Sequence, residues 1–199
     1  MSSGGGSKKK KRRDQEGGAK KTEQRDLIRI KITSCGEGGV GKSCIIKRYC
    51  EEKFVSRYIA TIGVDFGVKP IVVHDCDVKV NFWDLSGHPE FFDVRNEFYK
   101  DTQGVLLCFD VSQRVTFQVL DKWVQEAQRY GVRDSAVWAV CGNKVDKTTK
   151  RAVTRREAEL WAERSGFQYF ETSAKTGEGI EEVFNYLFLT VVGNQISEI

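Results

Sequence analysis

Apolar and polar residues alternate along most of the chain with two different periods. Ile28, Ile30 and Ile32 alternate with charged residues, a pattern that predicts a strand with one buried face. Five further stretches carry strand-like patterns and predict strands at residues 64–74, 78–83, 104–111, 136–141 and 167–171. The stretches at 104–111 and 136–141 are almost continuously apolar, which is typical of parallel strands covered on both faces.

Segments with helical periodicity lie between most of these predicted strands. Residues 42–53 and 116–130 predict helices. Thr154, with Glu157 three residues later, forms a capping-box pattern that predicts the start of another helix. The last predicted helix carries an apolar stripe of Ile180, Val183, Phe184 and Leu187. Since strands alternate with helices, we predict an α/β fold in which about five helices cover a six-stranded, mostly parallel sheet. A tight polar turn at residues 75–77 predicts one antiparallel edge strand.

Charge is distributed unevenly along the 199 residues. Residues 1–26 contain 9 Lys/Arg and 4 Asp/Glu, whereas residues 27–199 contain 23 and 24. The predicted folded part is therefore near neutral, which disfavours specific nucleic-acid binding because such domains carry a basic surface. We predict a disordered basic tail at 1–26, one domain at 27–192 and a short C-terminal tail at 193–199.

The basic run at residues 8–13 leaves three interpretations open: a solvated tail without a role, a nuclear localisation signal, or an electrostatic contact with anionic lipid. Ser2 occupies the position where myristoylation requires glycine, and no cysteine follows Cys141, so we expect no lipid anchor.

No two of the six cysteines have C-x-x-C spacing, which favours reduced thiols. We expect a monomer in the cytoplasm, the nucleus or both.

A glycine-rich segment lies between the first predicted strand and the first predicted helix. It fits the pattern G-x-x-x-x-G-K-[ST] with Gly36, Glu37, Gly38, Gly39, Val40, Gly41, Lys42 and Ser43. The glycines let the main chain wrap closely around phosphate groups, and the helix N-terminus adds partial positive charge. We expect Lys42 to reach the β- and γ-phosphates and Ser43 to bind Mg²⁺. We also assign the adjacent Cys44 to the nucleotide-binding residues.

Two further segments indicate which base is bound. Asn143, Lys144 and Asp146 form an N-K-x-D pattern directly after a predicted buried strand. The Asp146 carboxylate can accept the N1–H and N2 amino protons of guanine, and adenine lacks this pair of donors. After the sixth predicted strand comes a loop that we assign to the base, with Ser173, Ala174 and Lys175. The predicted ligand is therefore GTP or GDP with Mg²⁺.

Two loops carry residues that could sense the γ-phosphate. Asp84 ends the third predicted strand, where we expect it to hold Mg²⁺ through water. The Gly87 N–H can contact the γ-phosphate. The Thr61 hydroxyl could complete the Mg²⁺ shell only when that phosphate is present. Because both loops respond to one phosphate group, these residues predict a nucleotide-dependent switch.

The chain resembles the Ras-superfamily GTPases over roughly residues 27–192 and is similar to the Rab branch at residues 62–66 and 83–84. Residues 45–50, 87–89 and 94–105 resemble the RJL family. RJL proteins are Rab-like GTPases, some of which carry a C-terminal J domain in animals, and we identify none in these 199 residues. The resemblance implies a P-loop NTPase fold of the Ras-like type.

The same resemblance implies roles for aromatic residues and for partner-binding regions. Phe54 would pack against the guanine, and Tyr58 would close over the phosphates. Effectors and regulators would bind the switch regions at about residues 54–66 and 84–100. Phe66, Trp83 and Phe98 match the aromatic triad that Rab proteins present to effectors, although a purely core role stays open. The RJL resemblance also implies association with flagella or basal bodies.

His88 departs from the Ras and Rab pattern, which usually has Gln at this position to orient the attacking water. Without that amide we predict slow intrinsic GTP hydrolysis, with His88, Lys42 and Gly87 as the candidate catalytic residues. A second interpretation is that His88 replaces Gln, which predicts pH dependence near a pKa of about 6.5. A third is a GTP-bound scaffold that does not hydrolyse. Thr61, Asp84 and Gly87 favour the switch over the scaffold.

Overall fold

Six strands pair into one sheet in the computed structural model, which describes Met1 and residues 27–197. The strands are β1 Ile28–Cys35, β2 Val64–Val73, β3 Cys76–Leu85, β4 Gly104–Asp110, β5 Val137–Asn143 and β6 Gln168–Thr172. Their order across the sheet is β2-β3-β1-β4-β5-β6, and every pairing is parallel except that of β2 with β3. The predicted α/β fold with one antiparallel edge strand is confirmed. The basic run at 8–13 lies outside the described residues.

Helices follow five of the six strands, and all but the one at Phe92–Asn96 lie where the sequence pattern predicts helices. They are α1 Lys42–Glu51, α2 Phe92–Asn96, α3 Arg114–Gln118, α4 Leu120–Arg129, α5 Arg155–Arg164 and α6 Ile180–Ser197. The helix predicted at 116–130 consists of α3 and α4, which Val119 separates, so about five helical units are present. Short 3₁₀ turns occur at Pro89–Phe91 and Thr148–Lys150. Between residues 27 and 197, no helix is long and apolar enough to cross a membrane.

Residues 193–197 of the C-terminal tail predicted at 193–199 continue α6. Val191 and Val192 are buried in the core and hold the last turns of this helix against the sheet. Ser197 Oγ also donates to the carbonyl oxygen of Gly193 at 2.8 Å. Packing therefore outweighs the low helix propensity of glycine, which costs only about 1 kcal/mol relative to alanine.

Each face of the sheet carries its own hydrophobic core. On one face, strand residues such as Ile32 and Phe82 pack with Ile45 of α1 and with Phe184 and Leu187 of α6. The opposite face packs against α4 and α5 and contains Phe109. All residues of β4 and β5 are buried, as the continuous apolar runs predicted. The central strands are therefore fixed on both sides, and their C-terminal ends present loops at one edge of the sheet.

The β2–β3 hairpin turns one residue earlier than predicted. His74 and Asp75 both have positive φ, at 48° and 60°, which is the geometry of a two-residue type I′ turn. Cys76 and Asp77 consequently belong to β3, where they pair with β2. This turn type matches the right-handed twist of the two strands, so a shorter loop is favoured over the three-residue turn.

The start of α5 uses half of the predicted capping box. Thr154 Oγ1 accepts a hydrogen bond from the Glu157 N–H at 3.2 Å. The Glu157 carboxylate pairs with Arg114 instead of returning to the Thr154 N–H. The cap therefore depends on the threonine hydroxyl.

Thr154→Ala should lower the free energy of unfolding by about 1 kcal/mol, because the N–H of Glu157 loses its side-chain acceptor. Urea unfolding at fixed concentrations of GDP and Mg²⁺ measures this loss, with Thr154→Ser as the control that keeps the hydroxyl. Equal unfolding free energies for Thr154→Ala and the parent chain would show that the cap contributes nothing.

Candidate functional site

A cavity of about 490 Å³ opens where the loops at the C-terminal ends of the strands meet. Of the residues predicted to bind nucleotide or to act in catalysis, most line this cavity: Gly38, Gly39, Gly41, Lys42, Ser43, Cys44, Phe54, Tyr58, Thr61, Gly87, His88, Asn143, Lys144, Asp146, Ala174 and Lys175. Residues separated by more than 130 positions in the sequence therefore share one site. The cavity lies at the edge where α/β proteins bind ligands.

Five predicted residues do not line the cavity: Gly36, Glu37, Val40, Asp84 and Ser173. Gly36 has φ of 131°, and a Cβ at this position would clash with the carbonyl oxygen of Cys108. Val40 is fully buried, and its carbonyl oxygen accepts a hydrogen bond from Asn143 Nδ2 at 2.8 Å. Gly36 and Val40 therefore shape the cavity through backbone and core contacts.

The Lys42 ammonium lies inside the glycine-rich loop. Lys42 Nζ donates to the carbonyl oxygens of Gly36 at 2.7 Å and Glu37 at 3.0 Å. Burial lowers the pKa of Lys42, and the nearby Asp84 carboxylate opposes this effect. A buried ammonium that faces mainly neutral carbonyl groups gains strongly from an anion, so a phosphate group suits this position.

The three predicted Mg²⁺ ligands come together beside Lys42. Ser43 Oγ lies 2.9 Å from Thr61 Oγ1 and also donates to Asp84 Oδ2. Thr61 Oγ1 is 3.4 Å from the same carboxylate oxygen. Three oxygen atoms from three separate elements form a donor set of the kind Mg²⁺ prefers. Ser43, Thr61 and Asp84 would therefore hold the ion, directly or through water.

Ser34 supports this donor set and was not predicted from the sequence. Its hydroxyl donates to Asp84 Oδ1 at 2.6 Å, and the side chain is fully buried. The other carboxylate oxygen of Asp84 therefore faces Ser43 and Thr61. A serine within a strand has no local pattern that distinguishes it from any other buried polar residue.

The two loops assigned to the base, after β5 and β6, are tied to one another and to the glycine-rich loop, which we also call the phosphate loop. The Asn143 side chain donates to Val40, and its Oδ1 accepts from the Ala174 N–H at 3.3 Å. Ser173 Oγ donates to Asp146 Oδ1 at 2.7 Å, which orients the carboxylate predicted to accept the guanine protons. These contacts join the loops after β5 and β6 into one surface for the base.

Two basic residues reinforce this surface. Lys144 Nζ donates to the Gly39 carbonyl oxygen at 2.6 Å and pairs with Asp110 Oδ2 at 2.7 Å. Arg48 donates from Nε to the Ala174 carbonyl oxygen at 2.8 Å and also binds the carbonyl of Lys175. The sequence did not predict the role of Arg48, because its carbonyl partners lie about 126 positions away.

His88 lies at the phosphate end of the cavity. Its Nε2 is 2.8 Å from the Tyr58 hydroxyl, and a Cβ added to Gly38 would approach the imidazole at 3.0 Å. At Gly87, an added Cβ would clash with the main chain of the phosphate loop. The loop of Ser86, Gly87 and His88, here called the second switch loop, is therefore pressed against the glycine-rich loop, and the imidazole lies beside Gly38.

Seven residues that the sequence did not single out also line the cavity: Lys47, Val55, Ser56, Arg57, Ile59, Ser86 and Lys147. Lys47 lies one helical turn after Ser43, so helical spacing could have identified it. The four residues around Tyr58 belong to an irregular segment, where no periodicity indicates which side chains face a ligand.

The predicted aromatic triad forms a continuous group on the β2–β3 edge. The ring of Trp83 lies 4.6 Å from that of Phe66 and 5.0 Å from that of Phe98, measured between centroids. Phe66 is half exposed, whereas Trp83 and Phe98 also pack against the core. A purely core role therefore does not account for Phe66.

The Ras family model matches residues 31–192 of this chain. Relatives named DnaJ homolog subfamily C member 27 are 52% identical in mouse and in chicken and 51% identical in human, each over 177 residues. These matches cover 87% of the chain and 65% of each relative. The chain thus spans just under two thirds of the length of these relatives.

Asp146→Asn should weaken GDP binding and improve binding of xanthosine diphosphate. The amide can donate to the 2-oxo group of xanthine but cannot accept both guanine protons. Competition titrations against a fluorescent guanine nucleotide measure both affinities, with Asp134→Asn, in the loop before β5 and away from the cavity, as the control. Unchanged preference for guanine would remove Asp146 from base recognition.

Ser34→Ala should raise the Mg²⁺ concentration needed for slow GDP dissociation, because the Asp84 carboxylate loses the donor that orients it. Loss of such a supporting group typically costs about tenfold or more in metal affinity. GDP dissociation measured across buffered Mg²⁺ concentrations provides the test. An unchanged Mg²⁺ midpoint would mean that the Ser34 hydroxyl does not serve the metal site.

Proposed function

The chain belongs to the Ras family of small GTPases, and we propose that it is a switch that binds GTP or GDP with Mg²⁺ and hydrolyses GTP slowly. The observation that carries this proposal is the meeting of Ser43 and Thr61, which line the cavity beside Lys42, with the Asp84 carboxylate at its wall. Members of this family bind guanine nucleotides with Mg²⁺ in general. The residues that would distinguish guanine, bind phosphate and hold the metal are all present together.

Thr61 and Gly87 would make the switch depend on the γ-phosphate. Thr61 lies in the irregular segment between α1 and β2, so it can leave the site without disturbing the sheet. When bound, Mg²⁺ neutralises charge on the β- and γ-phosphate oxygens. Loss of the γ-phosphate removes the partner of the Gly87 N–H and weakens the hold on Thr61. Both loops are then released together.

Slow hydrolysis follows from the contacts of His88. Gln at this position would offer both a donor and an acceptor to the attacking water, whereas Nε2 of His88 is engaged by the Tyr58 hydroxyl. The Lys42 ammonium and the Gly87 N–H can still stabilise charge on the transferred phosphoryl group. The site therefore retains electrostatic groups for catalysis but lacks a free water-orienting amide.

A second candidate function is a GTP-bound scaffold that does not hydrolyse. The contact between His88 and Tyr58 favours it, because the pair covers the phosphate end of the cavity against Gly38. The cluster of Ser43, Thr61 and Asp84 favours the switch, since a scaffold needs no group that responds to the γ-phosphate.

Effector binding and location extend the proposal. We propose that effectors and regulators bind residues 54–66 and 84–100, where the exposed Phe66 is supported by Trp83 and Phe98. We further propose a monomer that acts in the cytoplasm, the nucleus or at flagellar bases, with the basic run at 8–13 as the feature that supports nuclear import.

His88→Gln should accelerate single-turnover GTP hydrolysis by about tenfold or more, equivalent to about 1.4 kcal/mol of barrier, because the amide restores water positioning. Rapid-quench assays with Mg²⁺ from pH 5.5 to 8.5 measure the rate. Tyr58→Phe serves as the matched variant that frees the imidazole without adding an amide.

Three results would separate the alternatives. A gain in His88→Gln with a nearly inert parent supports slow hydrolysis by the switch. A parent rate that changes between pH 5.5 and 8.5, without a gain in His88→Gln, would instead make His88 a working catalytic residue. Negligible rates in both chains at every pH would contradict hydrolysis and favour the scaffold.

A further inference from the structure

A buried ion pair lies beneath the second switch loop. Arg95, at the end of α2, donates from Nε to Glu126 Oε1 at 2.6 Å and from Nη2 to Oε2 at 2.8 Å. The exposed fractions of the two side chains are 6% and 14%. Glu126 lies on α4 and also accepts from the Tyr99 hydroxyl at 2.9 Å. Burial raises the pKa of Tyr99, which keeps this hydroxyl protonated as a donor.

The remaining nitrogen of Arg95 holds the main chain of the switch loop. Nη1 donates to the His88 carbonyl oxygen at 2.9 Å and lies 3.5 Å from the carbonyl oxygen of Ser86. These two carbonyl groups flank Gly87. One guanidinium therefore fixes the backbone on both sides of the residue whose N–H is assigned to the γ-phosphate.

The same face of α4 also holds the phosphate loop. Trp123, one turn before Glu126, donates from Nε1 to Glu37 Oε1 at 3.0 Å. The Arg95 guanidinium stacks on Trp123, with its central carbon 4.7 Å from the ring centroid. The positions of the two phosphate-binding loops are thus both set by one turn of one helix.

A stability role alone does not explain this pair. Burying two charges costs desolvation, and an apolar pair of similar volume is often as stable. Arginine, however, offers a planar fork that binds one carboxylate through two nitrogens while a third remains for a carbonyl group. Lysine has the charge but cannot span Glu126 and His88 together.

We propose that Arg95 is a positioning residue that, anchored by Glu126, holds Gly87 and His88 in place against the phosphate loop. This inference rests on the proposed function for its effect on hydrolysis. The claim that Arg95 positions His88 does not rest on that function, because the position of the His88 imidazole can be observed directly. The chain contains two histidines, and His74 lies in the distant β2–β3 turn.

The experiment compares Arg95→Lys with Arg151→Lys in the full chain with bound GDP and Mg²⁺. Arg151 is a matched control, because it also pairs with a glutamate, Glu171 at 2.8 Å, and donates to a main-chain carbonyl away from the cavity. Histidine ring resonances are recorded by ¹H–¹³C NMR and assigned with His88→Gln. We expect Arg95→Lys to shift or broaden the His88 signal only, and Arg151→Lys to change neither.

Hydrolysis gives the second readout. In the His88→Gln background, Arg95→Lys should lower the single-turnover rate by about tenfold while GDP dissociation changes less than about twofold, since misplacement of a catalytic loop affects chemistry more than binding. Glu126→Gln should reproduce both effects and serves if Arg95→Lys is unstable. An unshifted His88 signal in both variants overturns the proposal. Failure of His88→Gln to accelerate hydrolysis counts against the proposed function, and the NMR result still decides the role of Arg95.

Discussion

The close approach of Gly87 to the glycine-rich loop is the constraint on which the site depends. A side chain at Gly87 would collide with the main chain at Glu37 and Gly38, so the two loops can meet only because no Cβ lies between them. This contact places the end of β3 beside the start of α1. Asp84 consequently reaches Ser43.

The sheet makes this contact possible and extends it to the base. Parallel strands end at one edge, and the fully buried β4 and β5 fix that edge from both faces. Asn143, at the end of β5, binds both the phosphate loop and the loop after β6. One connected framework therefore carries the residues assigned to base, phosphate and metal, while Thr61 lies in the irregular segment between α1 and β2.

Residues that belong to short sequence motifs could be predicted from the sequence. Residues whose partners lie far away in the sequence could not. The phosphate loop and Asp146 have short patterns tied to strand ends, because their spacing is set by local backbone geometry. Ser34 has no such pattern, and Arg95 meets Glu126 only through packing of α2 against α4. The packing of Val191 and Val192 in the core near the end of α6 likewise depends on tertiary contacts, which local propensity does not reveal.

The nucleotide that copurifies with the chain tests the central claim most directly. One sample is desalted in Mg²⁺, and a second is treated with EDTA before desalting. Both samples are then denatured, and the nucleotides that they release are identified by ion-exchange chromatography. The account predicts about one guanine nucleotide per chain with Mg²⁺, and its loss after EDTA treatment, because the metal and the phosphates are held together. Adenine nucleotide in the site, or no bound nucleotide and no binding of added GDP with Mg²⁺, would contradict it.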